Sequence, residues 1–498
     1  MSFNSYSFIF IFLPVALLGF YLTNKMKGRQ WCMVWLIGVS LFFYGLWNWV
    51  LVLLIIGSVL LNYIFGIFIN RNRVNERNLK KILYLGIACN LSLLIIFKYY
   101  GVYEKLNLQA FESVFELDLI VPVAVSFFTF QQIIYLVEVS RGSLSGIKFL
   151  NYFLYVTFFP QLINGPIIRP NEFFPQLREE NIPGVKVDRL AAGLTLISCG
   201  LFKKIVLADG IARYSNSAFD AVAQGVVLNL AEAWSGVLSF TMQIYFDLSG
   251  YSDIAIGIAC IFGLRFPFNF ESPYKASSLI DFWHRWHMTL SRFFRDYLYI
   301  PLGGNRDGSL KRAGNILIIM LIGGIWHGTA FSFVFWGAAH GVCLVINHLW
   351  RQMCGLLNFS LQRKNILIEI VSRMGTFLIV AVLWVFFRAE NSEVALSILQ
   401  SLLGLHEPII SDFNNVKISE DRLWFLLLIV WILPNMKEIM SVYFDADKTF
   451  GLVGHIEKSK QRWYHWYPNT WWAAFATILF VISVLELTQS RQFIYTQF

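Results

Sequence analysis

The feature that most constrains the fold of this chain is a series of apolar runs that recurs along its whole length. Each run contains roughly 15 to 20 residues, which with its flanks is enough to cross a hydrocarbon core about 30 Å thick as a helix. Only 14% of the 498 residues are charged and the mean hydropathy is +0.57, whereas soluble proteins carry about 25% charged residues. We therefore predict an all-α, polytopic integral membrane protein with about 11 to 13 transmembrane helices. The clearest runs are Tyr6–Leu22, Trp31–Trp47, Val50–Ile69, Ile82–Phe97, Leu119–Val137, Ile366–Phe387, Leu423–Leu433 with its flanks, and Trp471–Leu485.

Basic residues are concentrated in alternate loops between these runs, as the positive-inside rule requires. The loop between the fourth and fifth runs is instead acidic, with Glu104, Glu112, Glu116 and Asp118 against Lys105. This alternation predicts that both termini lie outside the cytoplasm. Because the net charge of +9 is spread over the loops, it does not indicate a nucleic-acid partner; the expected contact is membrane lipid. The basic loops contain Lys25, Lys27, Arg29, Arg71, Arg73, Arg77, Lys80, Lys81, Arg141, Lys148, Lys458, Lys460 and Arg462.

Nothing in the sequence divides the chain or suggests a metal. The six cysteines are scattered and none forms a Cys-x-x-Cys pair, so we interpret them as small apolar packing residues rather than as disulfides or metal ligands. No linker or internal repeat is visible, and we predict one domain that spans residues 1–498. No positively charged segment precedes Tyr6, so we expect the first run to be retained as a helix.

Two polar stretches interrupt the apolar pattern. The stretch Phe158–Pro170 holds three prolines and a glycine, which cannot continue a straight helix. It therefore predicts a bent or re-entrant element that is buried in protein or lines a cavity. A second stretch places Asp247 and Asp253 within a membrane-like run. We expect these carboxylates to bind an arginine or tyrosine of a neighbouring helix rather than to form a catalytic acid pair.

The densest polar stretch is the cassette, defined as residues Asp281–Arg306. Ser278 with Asp281 makes an N-terminal capping pattern, and Pro301 with the following glycines ends the element, so the spacing predicts one helix. Its apolar residues share one arc and its arginines the other, with His287 at the border. Amphipathicity alone favours a helix at the membrane interface, while a helix that tilts inward to line a polar funnel remains the alternative.

Another histidine, His327, follows the cassette directly after the apolar run Ile316–Trp326. At about 1.5 Å per residue, this run places His327 roughly halfway through the bilayer. Gly323, Gly324 and Gly328 surround it, and they allow another backbone or a substrate to approach closely. A histidine at membrane depth is as often a helix contact as a catalyst. Its position beside glycines and after the cassette favours a functional role.

These motifs resemble the membrane-bound O-acyltransferase (MBOAT) family, in particular its bacterial alginate O-acetyltransferase branch with the peptidoglycan and cellulose counterparts. The segments that carry the resemblance are Phe282–His287, Phe294–Asn305 and Trp326–Gly328. Supporting matches extend over most of the chain, at Val125–Gln131, Phe159–Pro166, Phe246–Asp253, Trp384–Asn391 and Phe493–Phe498.

The resemblance implies a ring of helices with re-entrant or interfacial elements around a central funnel, in a bacterial cytoplasmic (inner) membrane. The catalytic core would comprise about residues 120–350, with an extra C-terminal span and aromatic tail at about 466–498. His327 matches the family's invariant catalytic histidine and His287 its second polar position.

O-acyl transfer needs a base for the accepting hydroxyl, and a neutral imidazole at position 327 is suited to take that proton. His287 would orient His327, donate to the developing oxyanion or protonate the leaving thiolate. Trp326 and Gly328 flank the base, and Arg295, Asp296 and Asn305 are expected to hold the cassette in place. Tyr495 in the tail is a candidate acyl relay, for which an interfacial aromatic anchor is the alternative.

The resemblance also implies the substrates and partners. No cofactor is expected to stay bound; the substrate would be an acyl-thioester donor, acetyl-CoA or an acyl carrier protein. The acceptor would be an extracytoplasmic polysaccharide, reached with an SGNH-hydrolase-like acetyltransferase partner. Two alternatives remain: D-alanyl transfer to teichoic acid, and a proton-coupled transporter or flippase that uses His287 and His327. The polar elements cluster once, between about residues 245 and 330, whereas transporters often repeat them in two halves.

Overall fold

The computed structural model describes residues 1–99, 124–178, 186–328, 330–357, 366–405, 420–445 and 462–489. Within these ranges all regular secondary structure is helical, which confirms the predicted fold class. Nine helical segments there are long and apolar enough to cross a membrane, and two shorter apolar helices accompany them at Val125–Ser140 and Thr470–Leu485. The nine are Ser7–Met26, Val50–Arg71, Glu76–Lys98, Val187–Ala223, Leu230–Ile261, Gly308–His327, Phe331–Leu356, Ile366–Arg388 and Asp421–Phe444.

The chain forms two compact units. The first contains residues 1–199 and 251–267, and the second contains residues 200–250 and 268–498. The first eight helices belong to the first unit: α1 (Leu13–Lys27), α2 (Arg29–Gly45), α3 (Val50–Arg71), α4 (Glu76–Lys98), α5 (Val125–Ser140), α6 (Phe149–Thr157), α7 (Phe159–Leu162) and α8 (Pro170–Arg178). Two further helices have residues in both units: α9 (Val187–Phe202) and α11 (Leu230–Ile261). The second unit holds α10 (Asp209–Ala223), α12 (Leu279–Arg285), α13 (Met288–Phe294), α14 (Gly308–His327), α15 (Phe331–Leu356), α16 (Ile366–Arg388), α17 (Ser392–Leu402), α18 (Glu420–Ile432), α19 (Met436–Asp445) and α20 (Thr470–Leu485).

Buried amide side chains join three apolar helices of the first unit. The Nδ2 of Asn62 on α3 donates to the Oε1 of Gln132 on α5 at 2.9 Å and to the Oδ1 of Asn90 on α4 at 3.2 Å. The Nδ2 of Asn90 donates back to the Oδ1 of Asn62 at 2.6 Å. Hydrophobicity does not drive association between helices in lipid, so such interhelical hydrogen bonds and close packing hold them together.

The proline-rich stretch Phe158–Pro170 is bent, as its composition predicts. It contains the single turn α7 and an irregular segment that ends at α8. Its backbone is satisfied inside the protein: the Tyr155 hydroxyl donates to the carbonyl oxygen of Ile168 at 2.9 Å, and the amide of Phe159 donates to the hydroxyl of Ser40 at 3.1 Å. This burial is what permits irregular backbone among apolar helices.

Glycines set the contact between α14 and α15 in the second unit. A Cβ added at Gly324 would overlap the carbonyl oxygen of Phe333 and lie 3.3 Å from the Cα of Gly337. A Cβ added at Gly341 would lie 3.1 Å from the Leu317 side chain. These small residues allow the two backbones to approach closely, as small residues do in membrane helix pairs. The close approach allowed by Gly324 is therefore to a neighbouring backbone.

The cassette is not the single helix that its spacing predicts. Ser278 does cap α12, since its hydroxyl accepts a hydrogen bond from the amide of Asp281 at 3.2 Å. The helix then stops at Arg285, and α13 begins at Met288 before a π-helical turn over Arg295–Tyr299. The break occurs because His287 adopts the left-handed conformation, with φ 42° and ψ 53°, which interrupts a right-handed helix.

Candidate functional site

His287 is the corner between α12 and α13, and the loop before the cassette stabilises that corner. The backbone carbonyl of Asn269 accepts a hydrogen bond from the amide of Met288 at 2.9 Å. The Asn269 side-chain oxygen accepts two more from Thr289, from its hydroxyl at 2.6 Å and from its amide at 3.3 Å. Asn269 thus satisfies the amides at the start of α13 that have no partner within the helix. These hydrogen bonds stabilise the start of α13 directly after the left-handed His287.

Burial sets the protonation state of His287. Its side chain is 6% exposed and packs against Phe270, with ring centroids 6.1 Å apart. Burial lowers the pKa of His287 to about 4, although a hydrogen bond to its own backbone raises it. Within the described part of the chain, its Nδ1 has no hydrogen-bond partner on another residue. His287 is therefore a neutral imidazole near pH 7 with a buried nitrogen available to a ligand.

His327 is the last residue of α14 and is enclosed by aromatic rings. Its side chain is 7% exposed. Its ring centroid lies 5.0 Å from that of Phe387 on α16 and 5.1 Å from that of Trp336 on α15, both in edge-on arrangements. The ring of Trp326 lies 4.6 Å away. Three helices therefore fix the plane and position of this imidazole.

A continuous set of aromatic contacts joins the surroundings of the two histidines. We call it the aromatic cluster; it comprises Phe270, Phe282, Trp283, Trp286, Trp336, Trp384 and Phe387. On the His287 side, Trp286 contacts Trp384 at 5.0 Å between ring centroids. Trp384 in turn contacts Trp336 at 5.8 Å and Phe387 at 5.3 Å, and both of these contact His327. The structure thus brings His287 and His327 to one cluster.

The predicted supporting residues differ in their placement. Trp326 is buried beside His327. A Cβ added at Gly328 would overlap the Phe333 ring, so this glycine provides space for an aromatic neighbour. Arg295 and Asp296 form an ion pair with each other at 2.7 Å, and that pair raises the pKa of Arg295. Asn305 is exposed.

The loop after the cassette is held by a residue that sequence reasoning missed. The Nδ2 of Asn315 on α14 donates to the carbonyl oxygens of Leu302 at 3.2 Å and Gly304 at 3.0 Å. An asparagine near the start of an apolar run was the available signal. Tyr495, the candidate relay, lies outside the described residues.

Asp247 belongs to a buried cluster of three charged side chains, and its ion-pair partner differs from the one expected. The Nζ of Lys204 lies 2.6 Å from the Oδ1 of Asp247 and 2.8 Å from the Oδ1 of Asp209. The expected partner was an arginine or tyrosine, so that prediction is corrected for Asp247. Lys204 belongs to a π-helical turn, Lys203–Ala208, between α9 and α10. A lysine within an apolar run needs a counter-charge, and this was the missed signal.

Sequence reasoning also gave no functional role to His340. It lies four residues after Trp336 on α15, so the two side chains share one face of the helix. Their ring centroids are 5.0 Å apart, and Trp336 also contacts His327. The signal that was available is this i, i+4 spacing of two polar aromatic residues on an apolar helix.

The helical membrane fold and the two buried imidazoles define the class: a polytopic membrane protein with a histidine site inside an aromatic cluster. Comparison with known proteins identifies the family. The sequence matches the membrane-bound O-acyltransferase family over residues 139–387.

Three relatives illustrate the range of this similarity. A peptidoglycan O-acetyltransferase from Helicobacter pylori is 40% identical over 433 residues, which cover 82% of this chain and 80% of that protein. A probable alginate O-acetylase AlgI from Pseudomonas putida is 32% identical over 510 residues and covers 100% of both chains. A teichoic acid D-alanyltransferase from Bacillus subtilis is 30% identical over 238 residues, 46% of this chain and 59% of that protein.

The chain belongs to the membrane-bound O-acyltransferase family, and it is a multi-pass membrane acyltransferase.

Proposed function

We propose that the protein moves an acetyl group from a cytoplasmic thioester across the membrane. The acetyl group is used there to O-acetylate an extracytoplasmic polysaccharide such as alginate, peptidoglycan or cellulose. The observation that carries this proposal is the imidazole of His327, fixed by three aromatic contacts at the end of a membrane helix. The relatives that cover most of the chain are named for O-acetylation of peptidoglycan and alginate, which supports this acyl group and this class of acceptor.

His327 acts as the general base in this proposal. It removes the proton of the attacking hydroxyl while the oxygen bonds to the thioester carbonyl carbon, a role that typically contributes ~10²–10⁴-fold to the rate. The C–S bond then breaks, and the proton passes to the leaving thiolate. His287 is neutral near pH 7, so it serves as a hydrogen-bond partner for a reacting group rather than as a standing cation.

The proposal assigns a side of the membrane to each reactant. Thioesters such as acetyl-CoA or an acyl carrier protein are made in the cytoplasm, whereas the polymer lies outside the inner membrane. An SGNH-hydrolase-like partner on the outer side completes delivery to the polysaccharide. The alternation of loop charges supports an extracytoplasmic position for both termini. Tyr495 would then be on the correct side to carry the acyl group briefly.

Membrane vesicles that contain the full chain test the proposal. The donor on the cytoplasmic side is acetyl-CoA or an acyl carrier protein loaded with acetyl, labelled in the acetyl group. The acceptor on the other side is a set of alginate or peptidoglycan fragments. The expected result is label in alkali-sensitive esters, either on the chain or on the acceptor. His348→Ala, a second histidine of α15, is the matched control and should transfer as well as wild type. Tyr495→Phe keeps an aromatic anchor, so loss of transfer in that variant supports the relay.

D-alanyl transfer is the second candidate because a teichoic acid D-alanyltransferase matches 46% of the chain. The same vesicles distinguish the two reactions when they are given a carrier protein loaded with labelled D-alanine. Transfer of D-alanine without transfer of acetyl would replace the first proposal with the second. Failure of both acyl groups to move would reject both.

A further inference from the structure

Two buried ring nitrogens on α15 have no hydrogen-bond partner within the described part of the chain: the Nε1 of Trp336, which belongs to the aromatic cluster, and the Nε2 of His340, which packs against it. The His340 side chain is 0% exposed and that of Trp336 is 2% exposed. The Nδ1 of His340 accepts a hydrogen bond from the Nε1 of Trp283 at 3.4 Å. Because a neutral imidazole carries one proton, this contact places the proton on Nε2. Both unpartnered atoms are therefore donors.

Such donors are costly, and their location suggests what they are for. Burying a polar group without a partner destabilises a protein, and the great majority of buried side-chain polar atoms have a hydrogen-bond partner. Here the two donors belong to adjacent rings, 5.0 Å apart, on one face of α15. The Trp336 ring also contacts His327 edge-on at 5.1 Å. An acceptor for the Trp336 N–H would therefore lie beside a ring that contacts the candidate base.

We propose that the Trp336 Nε1–H and the His340 Nε2–H bind the carbonyl oxygen of the acyl group and stabilise the oxyanion that forms on it. This inference rests on the acyl transfer proposed above. As the hydroxyl oxygen bonds to the carbonyl carbon, the C=O electron pair moves to the carbonyl oxygen and His327 takes the hydroxyl proton. When the pair returns, the C–S bond breaks and the thiolate receives that proton. The two donors stay neutral throughout.

The arrangement suits that role because preorganised donors in a site without water stabilise a developing charge more than they do in bulk solvent. Trp283 has a positioning role, since its hydrogen bond selects the tautomer of His340 that can donate from Nε2. Trp283 belongs to α12, so a residue of the cassette would determine which nitrogen of His340 carries the proton. His340 lies on α15, the helix whose Trp336 contacts His327.

Three substitutions separate hydrogen bonding from packing. Trp336→Phe keeps a ring and removes the N–H. His340→Asn keeps an acceptor near the Nδ1 position for Trp283 but has no group at the Nε2 position. His340→Gln extends an amide N–H toward the Nε2 position. Trp350→Phe is the control, because Trp350 lies on the same helix with its side chain 53% exposed.

The measurement is kcat and KM for labelled acetyl-CoA in vesicles that contain the full chain, with the amount of folded protein determined for each variant. Trp336→Phe and His340→Asn should each lower kcat by ~10²–10³-fold, the usual effect of removing one oxyanion donor. KM should change little, because the bond strengthens in the transition state. His340→Gln should recover at least about tenfold of the loss, and Trp350→Phe should equal wild type.

The inference is overturned if both donor variants keep kcat within about threefold of wild type, or if His340→Asn and His340→Gln lose activity equally. If Trp336→Phe does not fold, the two His340 variants decide the question between them. A wild-type protein that transfers no acyl group defeats the proposed function itself. Active wild type with unaffected donor variants defeats only this inference.

Discussion

Lys204 provides the sharpest test of the fold, because one substitution leaves two buried carboxylates without their cation. Its ammonium lies 2.6 Å from Asp247 and 2.8 Å from Asp209. The exposed fractions of the three side chains are 1%, 1% and 8%. At an effective dielectric constant of about 20, each contact has a gross Coulomb energy of about 6 kcal/mol. Desolvation of the charges offsets much of this energy, and removing one partner of a buried pair typically costs about 3–5 kcal/mol.

Lys204→Met keeps most of the side-chain volume and removes the charge. We expect it to lower the free energy of unfolding by about 3–5 kcal/mol, measured by denaturant or thermal unfolding of the protein purified in detergent. The control combines Lys204→Met with Asp209→Asn and Asp247→Asn, which removes all three charges. It should recover at least half of the loss, because no uncompensated charge remains buried. A single variant as stable as wild type would refute the buried charge cluster.

Further predictions concern the helix contact, the cassette corner and pH. Gly324→Ala should destabilise the protein by about 1–3 kcal/mol, since the new methyl group overlaps the Phe333 backbone; in the same unfolding assay Gly375→Ala, with nothing within 4 Å of the new Cβ, should not. Asn269→Ala should lower the free energy of unfolding by about 1–2 kcal/mol because the cap of α13 is lost, and it should also lower the rate of acyl transfer. Full activity would show that this cap does not position the site. Between the ordinary histidine pKa near 6.5 and the value of about 4 for folded His287, only the unfolded chain binds the proton, so stability should fall as pH drops through that window. His287→Gln should flatten this dependence, and parallel stability curves for the two proteins would contradict the buried neutral imidazole.

Hydropathy predicted the membrane helices well because each one satisfies its own backbone and shows its apolar length directly. The runs Val50–Ile69 and Ile366–Phe387 became Val50–Arg71 and Ile366–Arg388. The cassette was different, because its periodicity fits one helix. Its break at His287 depends on Asn269, a residue 18 positions earlier that caps α13. A tertiary contact of this kind is not encoded in a local spacing.

The sequence shows which residues could carry out the chemistry of the site, but it does not show which residues pack around them. His287 and His327 stand out as ionisable groups in an apolar chain, and both are buried in one cluster. The rings around them come from the loop that contains Phe270 and from α12, α14, α15 and α16, which only the folded chain brings together. The same limit applied to Lys204, which was overlooked because its counter-charges lie on other turns and another helix. Arg295 is exposed and its ion-pair partner is its sequence neighbour.

The most direct test of the account is the rate of acyl transfer by His327→Ala in vesicles, under single-turnover conditions with labelled acetyl-CoA. If the imidazole of His327 is the base, the rate should fall by ~10²–10⁴-fold while the protein remains folded and at wild-type abundance in the membrane. A folded variant that transfers acetyl groups at close to the wild-type rate would contradict the account.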